Sequence, residues 1–242
     1  MSALICCIIW FATVSAQEKR TYKLSATIEK KLATDTTPWK NTMASYEYSY
    51  SGNYAQALSY GDSSSGYRKN AAQLSPSDSA YLARFKPIPA RQYILERSAA
   101  AQITIINEAH NQPLHRTFVT GLLKELYQQG YRYLGIETLG YADTLLQQRK
   151  YALDTTGYYS FEPQFGNMIR EALQLGFVLF PYETEVAGHN GKEREIDQAN
   201  NIVRFMKQHT DGKYLIYCGY AHVIEGPVRG WEKAMAGRLK EY

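Results

Sequence analysis

From residue 101 onward the chain alternates short apolar runs with longer amphipathic stretches. Gln102 to Ile106 (QITII), Tyr131 to Ile136 (YRYLGI), Phe177 to Tyr182 (FVLFPY) and Lys213 to Tyr217 (KYLIY) are rich in β-branched or aromatic residues and predict four strands. Between them the apolar residues fall at helical spacing. Pro113 opens a helix to about Gln129, with Phe118, Leu122 and Leu126 on one face, and Gly130 stops it. A second helix, Phe165 to Leu175, ends at Gly176. A third runs from Lys192 to about His209, with Ile196, Ala199, Ile202, Val203 and Met206 facing inward. A last helix is expected from near Gly230 to the end of the chain, with no C-cap signal, as in a domain cut within a helix. Strands alternating with helices in this way predict an α/β fold, a parallel sheet flanked by helices.

The first hundred residues read differently. Tyr46, Tyr50, Tyr54, Ala57 and Leu58 recur at helical spacing around a Gly52-Asn53 turn. This predicts a helical hairpin attached to the main domain, and it resembles one unit of a tetratricopeptide repeat. A loop follows at Asp62 to Gly66, and residues 76–100 read as helical with a break at Lys86-Pro87-Ile88-Pro89. Residues 17–37 are polar and read as a flexible lead-in. Residues 1–16 read as a signal peptide: Leu4 to Phe11 is a short apolar run, and Val14-Ser15-Ala16 supplies a small-x-small cleavage site. The run is too short to anchor the chain across a membrane. It lacks a basic n-region, and neither Cys6 nor Cys7 follows a small residue, which argues against lipidation. The expected organisation is thus a signal peptide (1–16), a lead-in (17–37), a helical region (38–98) and an α/β domain (99–242) that is exported.

Composition narrows the function only a little. The 242 residues are 45% hydrophobic and 21% charged, an ordinary globular balance. A net charge of +4, with both signs interspersed, gives no footprint for nucleic acid. After removal of residues 1–16, Cys218 is the one cysteine left, so no internal disulfide is expected. It reads as a small buried hydrophobe at a strand end.

The chemistry gathers after the strands. Asn107-Glu108-Ala109-His110 follows the first, Glu137 the second, Glu183 the third, and Gly219-Tyr220-Ala221-His222 the fourth. Ligands of parallel sheets bind beyond the carboxyl ends of the strands. The topology therefore delivers Glu108, His110, Glu137, Glu183 and His222 to one mouth. Imidazole both takes and gives protons near neutrality, and His110, His222 and Glu137 together could also ligate a divalent metal (Zn, Mn or Fe). His115 and Arg116, in the first turn after Pro113, read as anion or substrate binders. Arg194 and Glu195 read as a solvated helix face, His189 as a loop residue and His209 as a surface residue.

Asn107 to His115 (NEAHNQPLH) resembles the Gly-Glu-x-His-Asp-Asn-Pro-x-His signature of ChaN-like proteins, a fold class shared with erythromycin esterases and Tiki (TraB-like) proteins. Those families also carry a Glu after the next strand, here Glu137, and a late Gly-x-x-His, here Gly219 to His222. The resemblance covers about residues 100–230 and implies ester hydrolysis, metal-dependent peptide hydrolysis, or haem and iron handling at the envelope. The chain departs from it in Asn107 where the signature has Gly, and its Glu108-x-His110 is one residue shorter than the esterase spacing.

The expectation is an exported hydrolase that activates water through Glu108, His110, Glu137 and His222. Either a metal on His110, His222 and Glu137 does this, or His110 oriented by Glu108 or Glu137. His115, Arg116, Glu183 and Tyr220 would contact a small-molecule or peptide substrate. The alternative is an envelope protein that binds haem without turnover, with Tyr220 as the axial ligand. A third reading is an interaction module built on Tyr46 to Leu58.

Overall fold

The four apolar runs become the strands of one parallel sheet. In the computed structural model, which describes residues 21–64 and 74–242, they are β1 (Ile103–Glu108), β2 (Tyr131–Ile136), β3 (Val178–Pro181) and β4 (Lys213–Gly219). A short hairpin near the chain end adds β5 (Pro227–Val228) and β6 (Glu232–Lys233). The helices are α1 (Ser25–Thr34), α2 (Lys40–Tyr50), α3 (Tyr54–Ser64), α4 (Pro76–Leu82), α5 (Ala90–Ala100), α6 (Pro113–Thr120), α7 (Leu123–Gln128), α8 (Leu146–Arg149), α9 (Pro163–Leu175), α10 (Gly191–Gln208) and α11 (Met235–Leu239). The fold is α/β, as the alternation predicts.

Strand order is β1-β4-β2-β3. The chain enters at the β1 edge, steps over the place that β4 later fills, and returns between β1 and β2. In register, Glu108 stands opposite Gly219, Ile136 opposite Tyr217, and the Glu137 amide donates to the Tyr217 carbonyl at 3.0 Å. The ends of β1, β4 and β2 therefore finish level with one another.

Both faces of the sheet are covered. Leu134 and Leu215 pack under Leu122, Leu126, Met168 and Ile169 of the α6–α7 and α9 layer. Tyr133, Phe180 and Ile216 pack against Ala199 and Ile202 of α10 and Met235 of α11 on the other side. Strands buried on both faces need apolar residues at successive positions, which is why KYLIY and YLGI show no alternation.

Several details differ from the expectation. β1 and β4 run on to Glu108 and Gly219, so these residues sit in the sheet rather than in loops. The Pro113 helix splits at Gly121-Leu122, where the Arg91 guanidinium bonds the Gly121 carbonyl. Its buried face is Val119, Leu122, Leu123 and Leu126, and Phe118 is partly exposed. The final helix begins only at Met235, because residues 227–233 form the β5–β6 hairpin with Gly230 at φ +81°. Residues 25–34, expected to be a flexible lead-in, form α1, whose Ile28 is buried with Ala44, Tyr48 and Ala57 of the α2–α3 hairpin. That hairpin turns at Gly52 (φ +76°), as predicted. The signal-peptide reading of 1–16 and part of the Asp62–Gly66 loop lie outside the described residues. Among the described residues no helix is long and apolar enough to cross a membrane.

Candidate active site at the strand ends

The site is built around two buried carboxylates. Glu108, the last residue of β1, is 1% exposed and fully partnered. It accepts from Arg116 Nε (2.7 Å) and Nη2 (2.8 Å), from the Tyr217 hydroxyl (2.6 Å) and from His110 Nδ1 (2.8 Å). Burial opposes its ionisation, but the His110, Arg116 and Tyr217 hydrogen bonds hold its pKa below the usual carboxylate range. Arg116 is itself buried, and its far side donates to Glu162 (2.9 Å) and to the His110 carbonyl (2.9 Å). Glu162 also caps α9, accepting from the Phe165 amide at 2.7 Å. The guanidinium is thus a rivet between β1, α6 and α9. Arg116 was expected to meet an anionic substrate; its donors are instead consumed by Glu108 and Glu162, and it is sealed from solvent.

This rivet fixes His110. The ionised Glu108 accepts a hydrogen bond from Nδ1–H, which leaves the lone pair on Nε2, on the opposite side of the ring. The ring also stacks on Tyr159 at 4.3 Å. Nε2 points at Gly219: a Cβ built there would lie 2.6 Å from it and 3.3 Å from Glu137 Oε2. Gly219 has an ordinary φ of −72°, so glycine is required for the close approach of these groups and not for backbone freedom.

Glu137 is the second buried carboxylate. Oε2 takes the Gly219 amide, and Oε1 takes Arg194 Nη2 at 2.7 Å and lies 3.2 Å from His222 Nε2. Burial opposes its charge, yet His222, His110 and Arg194 pull its pKa down to about 2. The next residue, Thr138, is a β-branched residue at φ +63°, so this strand end carries backbone strain. Its carbonyl accepts from the Tyr158 amide (3.0 Å), tying the Glu137 turn to the segment that carries Tyr159.

His222, in a 3₁₀ turn after β4 (Tyr220–Val223), is 5% exposed. Its Nδ1 meets Glu195 of α10 at 2.8 Å, and its ring stacks on Trp231 at 5.6 Å. Nε2 lies 3.2 Å from both Glu137 Oε1 and Arg194 Nη1. It cannot donate to the first while accepting from the second. Two carboxylates (Glu137 and Glu195) face the His222 ring against the single guanidinium of Arg194, and that balance favours the protonated ring. Burial opposes the charge, but Glu137 and Glu195 raise the His222 pKa to about 9. Arg194 also grips Glu183 through Nε (2.9 Å) and Nη2 (2.5 Å), and Gln198 adds a donor at 3.2 Å.

Arg194 and Glu195 thus overturn their reading as a solvated helix face. Glu195 and Gln198 are 0% exposed, so the inner face of α10 includes the polar residues that serve the site. A carboxylate between helical apolar positions looks like a surface residue in sequence; only its neighbour His222, distant along the chain, reveals its role. Cys218 is buried beside the site, as expected.

A cavity of about 580 Å³ opens at the end of β1. His110 and Glu108 lie at its base, with Asn111, Gln112 and His115 on one wall and Ser45 and Tyr46 of the hairpin on another. His115 Nδ1 accepts from the Ala109 amide at 3.0 Å, so a neutral ring carries its proton on Nε2 as a donor. Tyr220, 62% exposed, stands on the rim edge-on to His115. Glu183 lies on the far side of Glu137, bound to Arg194, and does not line this cavity. The hairpin is fastened by the Tyr54 hydroxyl on Glu162 (2.8 Å) and by Gly61, where a Cβ would collide with Asn111. Tyr159 and Glu162 carry no motif and sequence reasoning missed them, while Tyr46 read only as a hairpin residue.

The arrangement does not suit a metal. Both His222 nitrogens are committed to carboxylates, and the Arg194 guanidinium occupies the side of Glu137 that a cation would take. Among the described residues no group of three His, Cys, Asp or Glu is placed to hold an ion.

No family model matches the chain, and no curated protein matches it by sequence. Two solved structures are similar in chain path. The type III effector HopBA1 has a TM-score of 0.46 at 10% identity, over 57% of this chain and 75% of its own. RRSP, a MARTX toxin effector domain from Vibrio vulnificus, has a TM-score of 0.42 at 20% identity, over 61% of this chain and 34% of its own.

Proposed function

We propose that the protein is a hydrolase of acyl bonds, ester or amide, that activates water with His110 and needs no metal. The observation that carries this is the convergence of His110 Nε2 and Glu137 Oε2 over the bare face of Gly219. A water held there donates one hydrogen to each. His110 Nε2 takes the proton as the water oxygen attacks the acyl carbon, Glu108 steadies the resulting imidazolium, and His110 then returns the proton to the leaving group. Glu137 stays ionised and favours the same imidazolium. His115 Nε2–H and the Asn111 amide are the cavity donors for the developing oxyanion. His222 acts as a fixed cation that holds Glu137 in place. The likeness of Asn107–His115 to the ChaN-like signature supports this reading, and so does the export suggested by residues 1–16.

The test uses p-nitrophenyl acetate and fluorescein-labelled casein as probes, with the full chain. Turnover above buffer is expected for wild type, falling by roughly two to four orders of magnitude in His110→Gln. EDTA is expected to leave the rate unchanged. Wild-type rates in His110→Gln, or abolition of activity by EDTA and rescue by Zn, would sink the proposal.

A further inference from the structure

Helix α4 and the turn after it are unlike the rest of the molecule. Every residue from 74 to 93 is exposed, and α4 buries none of its own side chains. Yet the segment is not polar. Leu74, Tyr81, Leu82, Phe85, Ile88 and Tyr93 are each between 47% and 60% exposed. Apolar residues scattered singly need no explanation, but six large ones along one unpacked arm do. Between Asp78 and Glu96 the arm carries Arg84, Lys86 and Arg91 and no acidic residue. Arg91 is tied to Glu125 of the main domain, whereas Arg84 stacks over the Tyr81 ring at 4.7 Å and Tyr81 packs on Phe85 at 5.0 Å. The tip therefore alternates rings, aliphatic groups and cations with long stems.

We infer that the arm 81–88 is a membrane-surface anchor that inserts Tyr81, Leu82, Phe85 and Ile88 into the interface of an anionic bilayer while Arg84 and Lys86 meet the lipid phosphates. Charge complementarity selects this occupant. A purely apolar protein groove would have to bury two cations without partners, whereas the interface of a bilayer accepts apolar groups and solvated cations at the same depth. Pro87 and Pro89 keep the tip from continuing as a helix, so it enters as a short wedge and does not span. None of the residues from 74 to 93 lines the cavity beside His110.

The experiment is co-sedimentation of the full chain with vesicles of phosphatidylcholine alone and with vesicles that also carry phosphatidylglycerol. Binding is expected to be roughly thirtyfold tighter to the anionic vesicles, from two cations near the surface, and to weaken at high salt as the Debye length falls to ~3 Å at 1 M. Phe85→Ser with Ile88→Ser, and separately Arg84→Glu with Lys86→Glu, are expected to abolish it. These side chains are exposed, and unchanged circular dichroism checks that the fold survives. Equal binding to both vesicle types, binding that survives both double variants, or no binding at all would each overturn the inference. So would concentration-dependent self-association that both double variants abolish, since the arm would then cover a second copy of the chain.

Discussion

The protonated state of His222 makes a measurable contribution to stability with a definite sign. In the folded chain its pKa is about 9, against an ordinary 6.5, because Glu137 and Glu195 more than offset its burial. A group with a raised folded pKa contributes stability that is fully present below its unfolded pKa and is lost as pH rises through the folded one. The window is therefore pH 6.5 to about 9, and the stability lost across it is about 3 kcal/mol at ~1.4 kcal/mol per pKa unit. Glu137, lowered to about 2, loses its contribution on the acid side, as pH falls from 4.5 through that value. The two describe one ion pair from its two ends and are not summed. Urea unfolding of wild type and of His222→Gln, compared across the alkaline window, gives the difference directly. The wild-type advantage should shrink by about 3 kcal/mol as pH rises past 9. Imidazole proton shifts in NMR, assigned by the same variant, should place the titration well above neutrality. In Glu195→Gln the midpoint should move down toward it. A His222 resonance that titrates near 6.5, or a stability difference flat across the window, would refute the assignment of His222 as a fixed cation.

Other consequences can be checked singly. Gly219→Ala places a Cβ 2.6 Å from His110 Nε2, so the ring must shift; hydrolysis should fall by about a hundredfold, and overpacking of about 1–3 kcal/mol should lower the thermal midpoint as well. Arg116→Met strands two buried carboxylates and should cost about 3–5 kcal/mol in urea unfolding; a loss below about 1 kcal/mol would mean that the rivet is not structural. Tyr54→Phe removes the hydroxyl that joins the hairpin to Glu162, and calorimetry should find it about 1 kcal/mol less stable. Arg194→Ala frees Glu137 and Glu183 from their shared cation, so the Glu137 pKa should rise and hydrolysis should weaken at the acid end of its pH profile.

The sequence by itself determined the sheet. Runs such as KYLIY have too many successive apolar residues to leave either face in water, so their strands had to be central and covered on both sides. It also determined that Glu108, His110, Glu137 and His222 lie at one end of that sheet, because strands joined by helices run parallel and finish on the same side. What it could not decide is which of these groups meet. Arg116 and His115 are adjacent in the first turn after Pro113, yet one is sealed between Glu108 and Glu162 and the other borders the cavity. A helix turns about 100° per residue, so neighbours in sequence face different surroundings. Glu195 reads as solvent-facing in GKEREID because periodicity only registers apolar groups, and its burial depends on His222, which the fold of β4 brings to it. The ion-pair network around Glu137 has the same origin. Two histidines and a glutamate do not specify it, and only the tertiary placement of Arg194 against Glu137 supplies the positive charge from the chain's own residues.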